Sequence, residues 1–422
     1  MEERSKFWKL FGGSSLVTVV AALKAFTINK LLAVFLPPAA FACVGQFMNL
    51  MTMGQATSSL ALQNGWVSLT AQNKDDEKSL LGIWRGGVRL TTFATVFTCV
   101  VAILFCFIAP LETILPGIPK RLAQAAILFA LPGIVAANWV SICTSVMNGL
   151  GDYRRWAVIG IGSSIIQCVW VAWFLYTGML SVLSIVATQS IVAAIFAHQI
   201  SAKAGFKLRR VWSSLLDDRK PWGSYALMGI IPMILTPIVL TFIRSMVGTK
   251  LGWDAAGIWQ GIWKISDFFA TGFSAVLGVI ILPKVSRSMS RENFSKMFNP
   301  LLLRIFGITF VAVLAIYFLR GWIVPLFLSS AYIGAVDYMP MQLIGDFFRA
   351  GGWAFGLVLI ARRETKIYLT MEIGSNIFLA TAAYFGIRFF EFSGPMMAYA
   401  AENFLYFVIM FVIVRRLKWS TP

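Results

Sequence analysis

Residues 89–108 read RLTTFATVFTCVVAILFCFI, a stretch whose single charged side chain is at its first position. A helix rises about 1.5 Å per residue, so a run of this length crosses a hydrocarbon core of about 30 Å. Apolar runs of similar length recur from one end of the chain to the other. The stretch predicts a transmembrane helix, and its recurrence predicts an all-α, polytopic membrane protein.

The composition of the whole chain agrees with a lipid environment. Of the 422 residues, 58% are hydrophobic and 13% are charged, and the mean hydropathy is +0.77. A soluble fold has too few interior positions for that many apolar side chains. The formal net charge of +18 does not indicate a nucleic-acid partner, because the basic residues form short clusters between apolar runs.

The cysteines and the N-terminus carry no sign of a metal, a disulfide framework or a cleaved leader. All five cysteines lie inside apolar segments and no C-x-x-C motif occurs. The first apolar run is longer than twenty residues and lacks a small-residue cleavage site. We therefore expect a retained first membrane helix, no signal peptide, no metal and no cofactor.

Twelve transmembrane spans are predicted, and the charge of their connections gives the orientation. The spans cover residues 10–36, 39–68, 87–110, 122–149, 156–177, 179–201, 223–247, 255–283, 300–327, 332–361, 367–388 and 394–414. Of the 36 Lys and Arg residues, 24 lie at the two termini and in alternate connections, whereas five lie in the opposite connections. Because cytoplasmic connections carry the positive excess, both termini are predicted to be cytoplasmic.

The longest inward connection divides the predicted spans into two sets of six. The prediction is an N-terminal lobe at 1–201, a cytoplasmic linker at 202–222 and a C-terminal lobe at 223–422. Residues 153–165 (YRRWAVIGIGSSI) resemble residues 365–377 (TKIYLTMEIGSNI), an offset near half the chain length. Chance similarity between apolar strings is the alternative. A duplication would relate the lobes by a pseudo-twofold axis along the membrane normal, as in known transporters.

Motifs for energy-coupled or hydrolytic chemistry are missing from the sequence. No G-x-x-x-x-G-K-[ST] motif occurs, so transport is expected to draw on an ion gradient or on the substrate's own gradient. The single histidine, His198, has no nearby serine and acid arrangement and is expected at a loop end. The chain is therefore not predicted to be an enzyme.

Charged residues at membrane depth are the candidate functional residues, because each costs several kcal/mol unless it faces a cavity or a partner. Lys264 with Asp267, and Asp346 with Arg349, are i,i+3 pairs on one helix face. Each pair either neutralises itself or lines a substrate or ion path. The full set is Lys24, Lys30, Arg89, Arg244, Lys264, Asp267, Asp346, Arg349 and Glu372.

Lys24 stands apart from the other charges. It lies about 22 Å into the first span, and its helix contains no acid at similar depth, so its partner must come from elsewhere. Arg89 and Arg244 are close enough to a membrane surface to snorkel. The second span is unusually polar for lipid contact, and amides such as Gln46 and Asn49 suit sugar hydroxyls.

Two segments carry a family resemblance. Residues 253–286 (WDAAGIWQGIWKISDFFATGFSAVLGVIILPKVS) and 342–361 (QLIGDFFRAGGWAFGLVLIA) resemble the eighth and tenth spans of the Wzx-type lipid-linked oligosaccharide flippases. These are the O-antigen and enterobacterial common antigen translocases of the multidrug/oligosaccharidyl-lipid/polysaccharide exporter (MOP) superfamily. The turn Leu36-Pro37-Pro38-Ala39 departs from the family's Gly-Pro, which leaves the geometry of that turn open.

The resemblance implies a flippase of the bacterial inner membrane that moves an undecaprenyl-pyrophosphate-linked oligosaccharide to the periplasmic leaflet by alternating access. Partners implied are a glycan polymerase and chain-length machinery. The basic charge at depth fits a pyrophosphate. The candidate substrate-binding residues are Lys24, Lys30, Arg89, Arg244, Lys264, Arg349, Gln46, Asn49 and Gln260, and the candidate ion-coupling residues are Asp267, Asp346 and Glu372.

Two other functions are weighed against the flippase. A cation-coupled multidrug antiporter of the same superfamily is expected to carry a carboxylate in its N-terminal lobe, where this chain has Lys24. A membrane-embedded glycan polymerase or ligase is expected to have a long periplasmic loop, and the outward connections here are short.

Overall fold

The computed structural model describes residues 2–179, 181–213, 222–285, 291–362 and 364–417. Within these ranges the chain forms α-helices, two 3₁₀ turns and no strand, which confirms the all-α prediction. The helices are α1 (Glu2–Phe35), α2 (Pro38–Ser59), α3 (Gln63–Asn73), α4 (Glu77–Ile108), α5 (Leu111–Ile114), α6 (Lys120–Leu150), α7 (Tyr153–Thr177), α8 (Val182–Thr188), α9 (Ile191–Ala202), α10 (Leu208–Ser213), α11 (Gly223–Leu251), α12 (Trp253–Val285), α13 (Arg291–Phe327), α14 (Met339–Ala361), α15 (Thr365–Phe390) and α16 (Gly394–Arg416).

Each predicted span corresponds to a helix or a helix pair. Nine segments of the described chain are long and apolar enough to cross a membrane, and one of them, Thr365–Arg416, contains both α15 and α16. The remaining two predicted spans correspond to α2 with α3 and to α12. Parts of three predicted inward connections, residues 214–221, 286–290 and 363, lie outside the described residues. The polytopic helical fold is therefore confirmed.

The second predicted span, 39–68, is interrupted in the structure. α2 ends at Ser59, Leu60 and Ala61 take positive φ values of 50° and 51°, and α3 follows. The Ser59 hydroxyl accepts the Ala61 N–H at 3.2 Å and donates to the Gln55 carbonyl at 2.6 Å. A hydroxyl that bonds the local backbone in this way competes with the helical ladder. The length of an apolar run does not predict such a break in the helix, so the sequence indicated one continuous span.

Three helices begin eight or more residues before their predicted spans, α1 by eight, α4 by ten and α13 by nine. At the start of α4, the Asp76 carboxylate accepts the Lys78 N–H at 3.0 Å and the Ser79 hydroxyl at 2.7 Å. The bond from Ser79 is the main reason that the pKa of Asp76 lies below its usual value. Hydropathy does not predict such extensions, because they continue beyond the apolar run.

The first of two compact units comprises Met1–Ile28 and Cys43–Pro237. Buried aromatic rings form part of its core, with the centroid of Trp66 4.7 Å from that of Trp222 and 6.3 Å from that of Phe206. Edge-to-face rings of this kind add to the burial of apolar area. The cluster holds α3 against the start of α11.

The second compact unit comprises Asn29–Ala42 and Ile238–Pro422. Close packing of α14 on α16 shapes its interior, and glycine permits the approach. A Cβ on Gly345 would lie 2.3 Å from a ring carbon of Tyr399. Small residues at helix contacts are how membrane helices come close together.

The end of α1 and the start of α2 belong to the second unit. The Tyr332 hydroxyl donates to the Leu36 carbonyl at 3.3 Å, and the Asp254 carboxylate accepts the Ala39 N–H at 3.1 Å. The limits of the two compact units are set by which segments pack together. The limits of the two predicted lobes are set by the position of the longest inward connection. The lobe limits at 201 and 223 therefore stay a prediction.

Candidate functional site

Lys24 lies within the first unit, half-buried on α1. Its ammonium donates to the Gln167 side-chain oxygen of α7 at 3.2 Å, and Gln167 itself is buried. Within the described residues no carboxylate pairs with Lys24, and the partner that it has comes from another helix. A cation whose hydrogen-bond partner is a neutral amide keeps its charge uncompensated. It can therefore attract an anion at membrane depth.

Lys30 is engaged differently, within the second unit. Its ammonium donates to the Pro325 carbonyl at 2.7 Å and to the Leu328 carbonyl at 2.6 Å. These carbonyls belong to the last turn of α13 and its end, where a helix leaves its acceptors without partners and favours a positive charge. In this arrangement Lys30 stabilises the end of α13.

The other polar candidates of the first unit lie on α2 and α4. Gln46 is fully buried, and the Asn49 side-chain amide donates to the Pro237 carbonyl at 3.3 Å. Arg89 is half-buried on α4. Gln46 therefore lies inside the unit rather than on a surface that a sugar could reach directly.

Arg244 is the most deeply buried of the predicted cations. It is 1% exposed, donates to the Gln260 side-chain oxygen, and lies 5.6 Å from the centre of the Trp259 ring. The structure therefore differs from the expectation of snorkelling, because an amide and an aromatic face of α12 hold the guanidinium inside the second unit. Lys264, half-buried, carries its charge near Arg244 and Asp267.

The predicted i,i+3 pairs are rearranged across helices. Arg349 of α14 pairs with Asp267 of α12 at 3.4 Å, and the side chain of Asp267 remains 44% exposed. The Asp346 Oδ1 atom accepts two hydroxyls, from Ser266 at 2.5 Å and from Tyr399 at 2.8 Å. Tyr399 also accepts from Arg349 at 3.3 Å. Three helices, α12, α14 and α16, thus share one acid and base network.

A second pair of acids lies where α15 meets α16. The Tyr406 hydroxyl donates to Glu372 at 3.0 Å. Glu402, 8% exposed, accepts from the Ser375 hydroxyl and from the Asn403 amide, the latter at 2.7 Å. Glu402 is not among the charges at membrane depth that were predicted from the sequence, although it is the ninth residue of the last predicted span. Tyr399, Ser266 and Gln167 carry no charge, so no sequence signal set them apart.

These side chains give the two units different electrostatic character. In the described part of the first unit the charge at depth is basic, from Lys24 and Arg89, and the acids lie at helix ends. In the second unit the acids at depth are Asp267, Asp346, Glu372 and Glu402, and the guanidinium of Arg349 pairs with the first of them. Buried acids with hydroxyl partners can change protonation, whereas isolated basic groups can bind phosphate oxygens.

Comparison with known proteins gives relatives along nearly the whole chain. A Lipid III flippase of Escherichia coli (strain K12) is 25% identical over 414 residues, covering 96% of this chain and 97% of the relative. A Lipid III flippase of Shigella flexneri gives the same identity and coverage. No family model matches the chain.

Solved structures with the same fold are transporters. An inward-facing multidrug resistance MATE family transporter of the MOP superfamily superposes with a TM-score of 0.75 at 15% identity, covering 95% of this chain and 94% of the other. An outward-facing structure of such a transporter gives 0.68 at 15% identity, with 95% of each chain covered. The predicted resemblance is therefore confirmed: this chain has the fold of the MOP-superfamily transporters and is related to the Lipid III flippases over 96% of its length.

Proposed function

We propose that this protein moves a lipid-linked oligosaccharide from the cytoplasmic to the periplasmic leaflet by alternating access, without ATP hydrolysis. The observation that carries the proposal is the similarity to the Lipid III flippases over 96% of the chain. The carrier is taken to be undecaprenyl pyrophosphate, an anion that suits uncompensated basic groups in a membrane.

Lys24 is the proposed anchor for the pyrophosphate. Its bond to Gln167 uses one of three ammonium donors, which leaves the others for phosphate oxygens. The further proposed substrate contacts are Lys30, Arg89, Arg244, Lys264, Arg349, Gln46, Asn49 and Gln260. Several of these residues have protein partners in the structure, among them Lys30, Arg244 and Arg349, so substrate would have to compete for them.

Asp267, Asp346 and Glu372 are the proposed ion-coupling residues. Asp267 is the most exposed of them, and Asp346 and Glu372 are held by hydroxyl donors that can also accept a bond when the acid is protonated. We take the coupling ion to be a proton. A guanidinium beside these acids disfavours a second cation by charge repulsion.

The proposed setting is the bacterial inner membrane, with both termini in the cytoplasm. The lobes proposed from the sequence, residues 1–201 and 223–422 joined by the linker 202–222, would alternate in opening. A glycan polymerase and its chain-length machinery are the proposed partners, since they act on the product that a flippase delivers.

A cation-coupled multidrug antiporter is the second candidate, because the solved structures of this fold are multidrug transporters. It is disfavoured by the absence of a carboxylate at depth in the described part of the first unit. A glycan polymerase or ligase is disfavoured because the relatives along the chain are flippases and those sharing its fold are transporters.

Deletion of the gene tests the proposal. Lipid-linked repeat units should accumulate on the cytoplasmic face, and the corresponding surface glycan should disappear in a strain without a second flippase. A plasmid copy of the gene should restore the glycan. Persistence of the glycan together with increased drug sensitivity would support the antiporter instead.

A further inference from the structure

A cavity of about 100 Å³ lies within the second unit, between α12, α13 and α14. Apolar side chains form most of its wall, among them Phe269, Ile316 and Leu343. Asp346 and Arg349 also line it, as does the α13 residue Thr309. This volume is enough for several water molecules, provided that polar groups hold them.

Thr309 differs from most other threonines of the described helices, and only Thr177 of α7 shares its buried hydroxyl without a partner among them. Nine of them donate their hydroxyl to the carbonyl four residues earlier: Thr52, Thr57, Thr91, Thr95, Thr98, Thr144, Thr188, Thr249 and Thr381. Thr309 is 7% exposed, and its hydroxyl has no hydrogen-bond partner among the described residues. A buried hydroxyl without a partner is costly, so a ligand in the cavity is expected to supply the missing bond.

Asp346 has one oxygen available for the same ligand. The bonds from Ser266 and Tyr399 both end on Oδ1, and no described residue donates to Oδ2. The charged and titratable groups that act on Asp346 are Arg349 of its own helix, Asp267 of α12 and Tyr399 of α16. The Thr309 hydroxyl is the one polar side-chain group that α13 contributes to the cavity wall. The fixed charge of Arg349 repels a metal cation there, whereas neutral water is tolerated.

We propose that this cavity holds water bound between the Thr309 hydroxyl and Oδ2 of Asp346, and that this water delivers the coupling proton to Asp346. The bound water transfers one proton, so that an O–H bond forms at Oδ2 and one O–H bond of the water breaks, and a proton passed along hydrogen-bonded water re-forms that bond. The proton comes from bulk solvent, and no electrons are transferred. Thr309 is thus a positioning residue. The inference rests on the proposed proton coupling.

The test compares two hydroxyl deletions in the full-length protein. Thr309→Val removes the hydroxyl at nearly constant volume, and Thr309→Ser keeps it. Thr381→Val is the matched control, because that exposed hydroxyl already bonds the Ile377 carbonyl at 2.9 Å. Infrared difference spectra of the reconstituted protein between acid and neutral pH, recorded in H₂¹⁶O and H₂¹⁸O, report bound water directly. Asp346→Asn identifies the Asp346 carboxyl band.

We expect an isotope-sensitive water band in the unmodified protein, in Thr309→Ser and in Thr381→Val, and its loss in Thr309→Val. Proton-driven flipping should fall about tenfold in Thr309→Val alone. Absence of the water band from the unmodified protein, or its persistence in Thr309→Val, would overturn the inference. Proton coupling would survive that result if Asp346→Asn still abolished flipping. If Asp346→Asn flips normally, proton coupling at Asp346 fails, and the delivery role of the water fails with it.

Discussion

Arg349 forms its ion pair with Asp267 across two helices, although Asp346 lies only three residues away on its own helix. Sequence spacing places i,i+3 side chains on one face, but the rotamers and the neighbouring helices decide which acid the guanidinium reaches. Here the hydroxyls of Tyr399 and Ser266 bond Oδ1 of Asp346, while Arg349 reaches Asp267 on the neighbouring helix. At the scale of single residues, the role of a charged side chain in this protein depends on which side chains of neighbouring helices it contacts.

Replacement of Lys24 should affect transport more than it affects folding. A hydrogen bond to a charged group is worth about 1.5–3 kcal/mol, so Lys24→Ala should reduce flipping about 10- to 100-fold. Lys24→Arg should keep part of the activity, and Lys24→Glu should be worse than Ala. Flipping of a fluorescent lipid-linked oligosaccharide in proteoliposomes measures the effect. Lys203→Ala, at an exposed position, is the control.

The role of Lys24 as an anion anchor would be contradicted if Lys24→Ala flips at the unmodified rate. It would also be contradicted if the only change is loss of protein from the membrane. Gln167 offers a further check, because Gln167→Met removes the neutral partner but leaves the ammonium. That variant should keep most of the activity.

A double-mutant cycle tests the pairing of Asp267 with Arg349. Asp267→Asn and Arg349→Gln should together destabilise the protein less than the sum of the single changes. The expected coupling is about 0.5–1 kcal/mol, since Asp267 is partly exposed. Denaturant unfolding in detergent measures it. The exposed pair Glu292 and Lys296 should give a coupling near zero, and an equally small value for Asp267 and Arg349 would refute the pairing.

At the scale of helices, glycine allows two segments to pack with their backbones in contact. Gly257 of α12 lies directly against the backbone of the α1–α2 turn, where a Cβ would come within 1.9 Å of the Pro38 carbonyl oxygen. The same turn is held by Asp254 and Tyr332. The contact is backbone to backbone, so no side chain can move aside to relieve it.

Gly257→Ala should therefore destabilise the second unit by about 1–3 kcal/mol through overpacking. Thermal unfolding in detergent should show a lower midpoint, and the yield of folded protein should fall. Gly307→Ala on α13 is the matched control, because nothing lies within 4 Å of its added Cβ. Equal midpoints for the two variants would show that the turn does not pack as closely as described.

At the scale of the whole molecule, the orientation in the membrane follows from the charge of the connections. In a variant without its native cysteines, Lys203→Cys in the linker should react with an impermeant maleimide only after the cytoplasmic face is opened. Lys250→Cys, exposed at the end of α11, should react from the periplasm in intact cells. Labelling of Lys203→Cys in intact cells would overturn the predicted orientation.

The sequence alone determined the all-α membrane character, the class of protein and the family resemblance, because apolar length and motif are local properties of the chain. It also found most of the charges at depth. Only the tertiary structure decided their partners, which are Gln167 for Lys24 and Asp267 for Arg349. It also revealed that the hydroxyl of Thr309 is buried without a partner among the described residues. Those partners lie on different helices, and the register in which helices pack brings them together, so spacing along the chain could not reveal them.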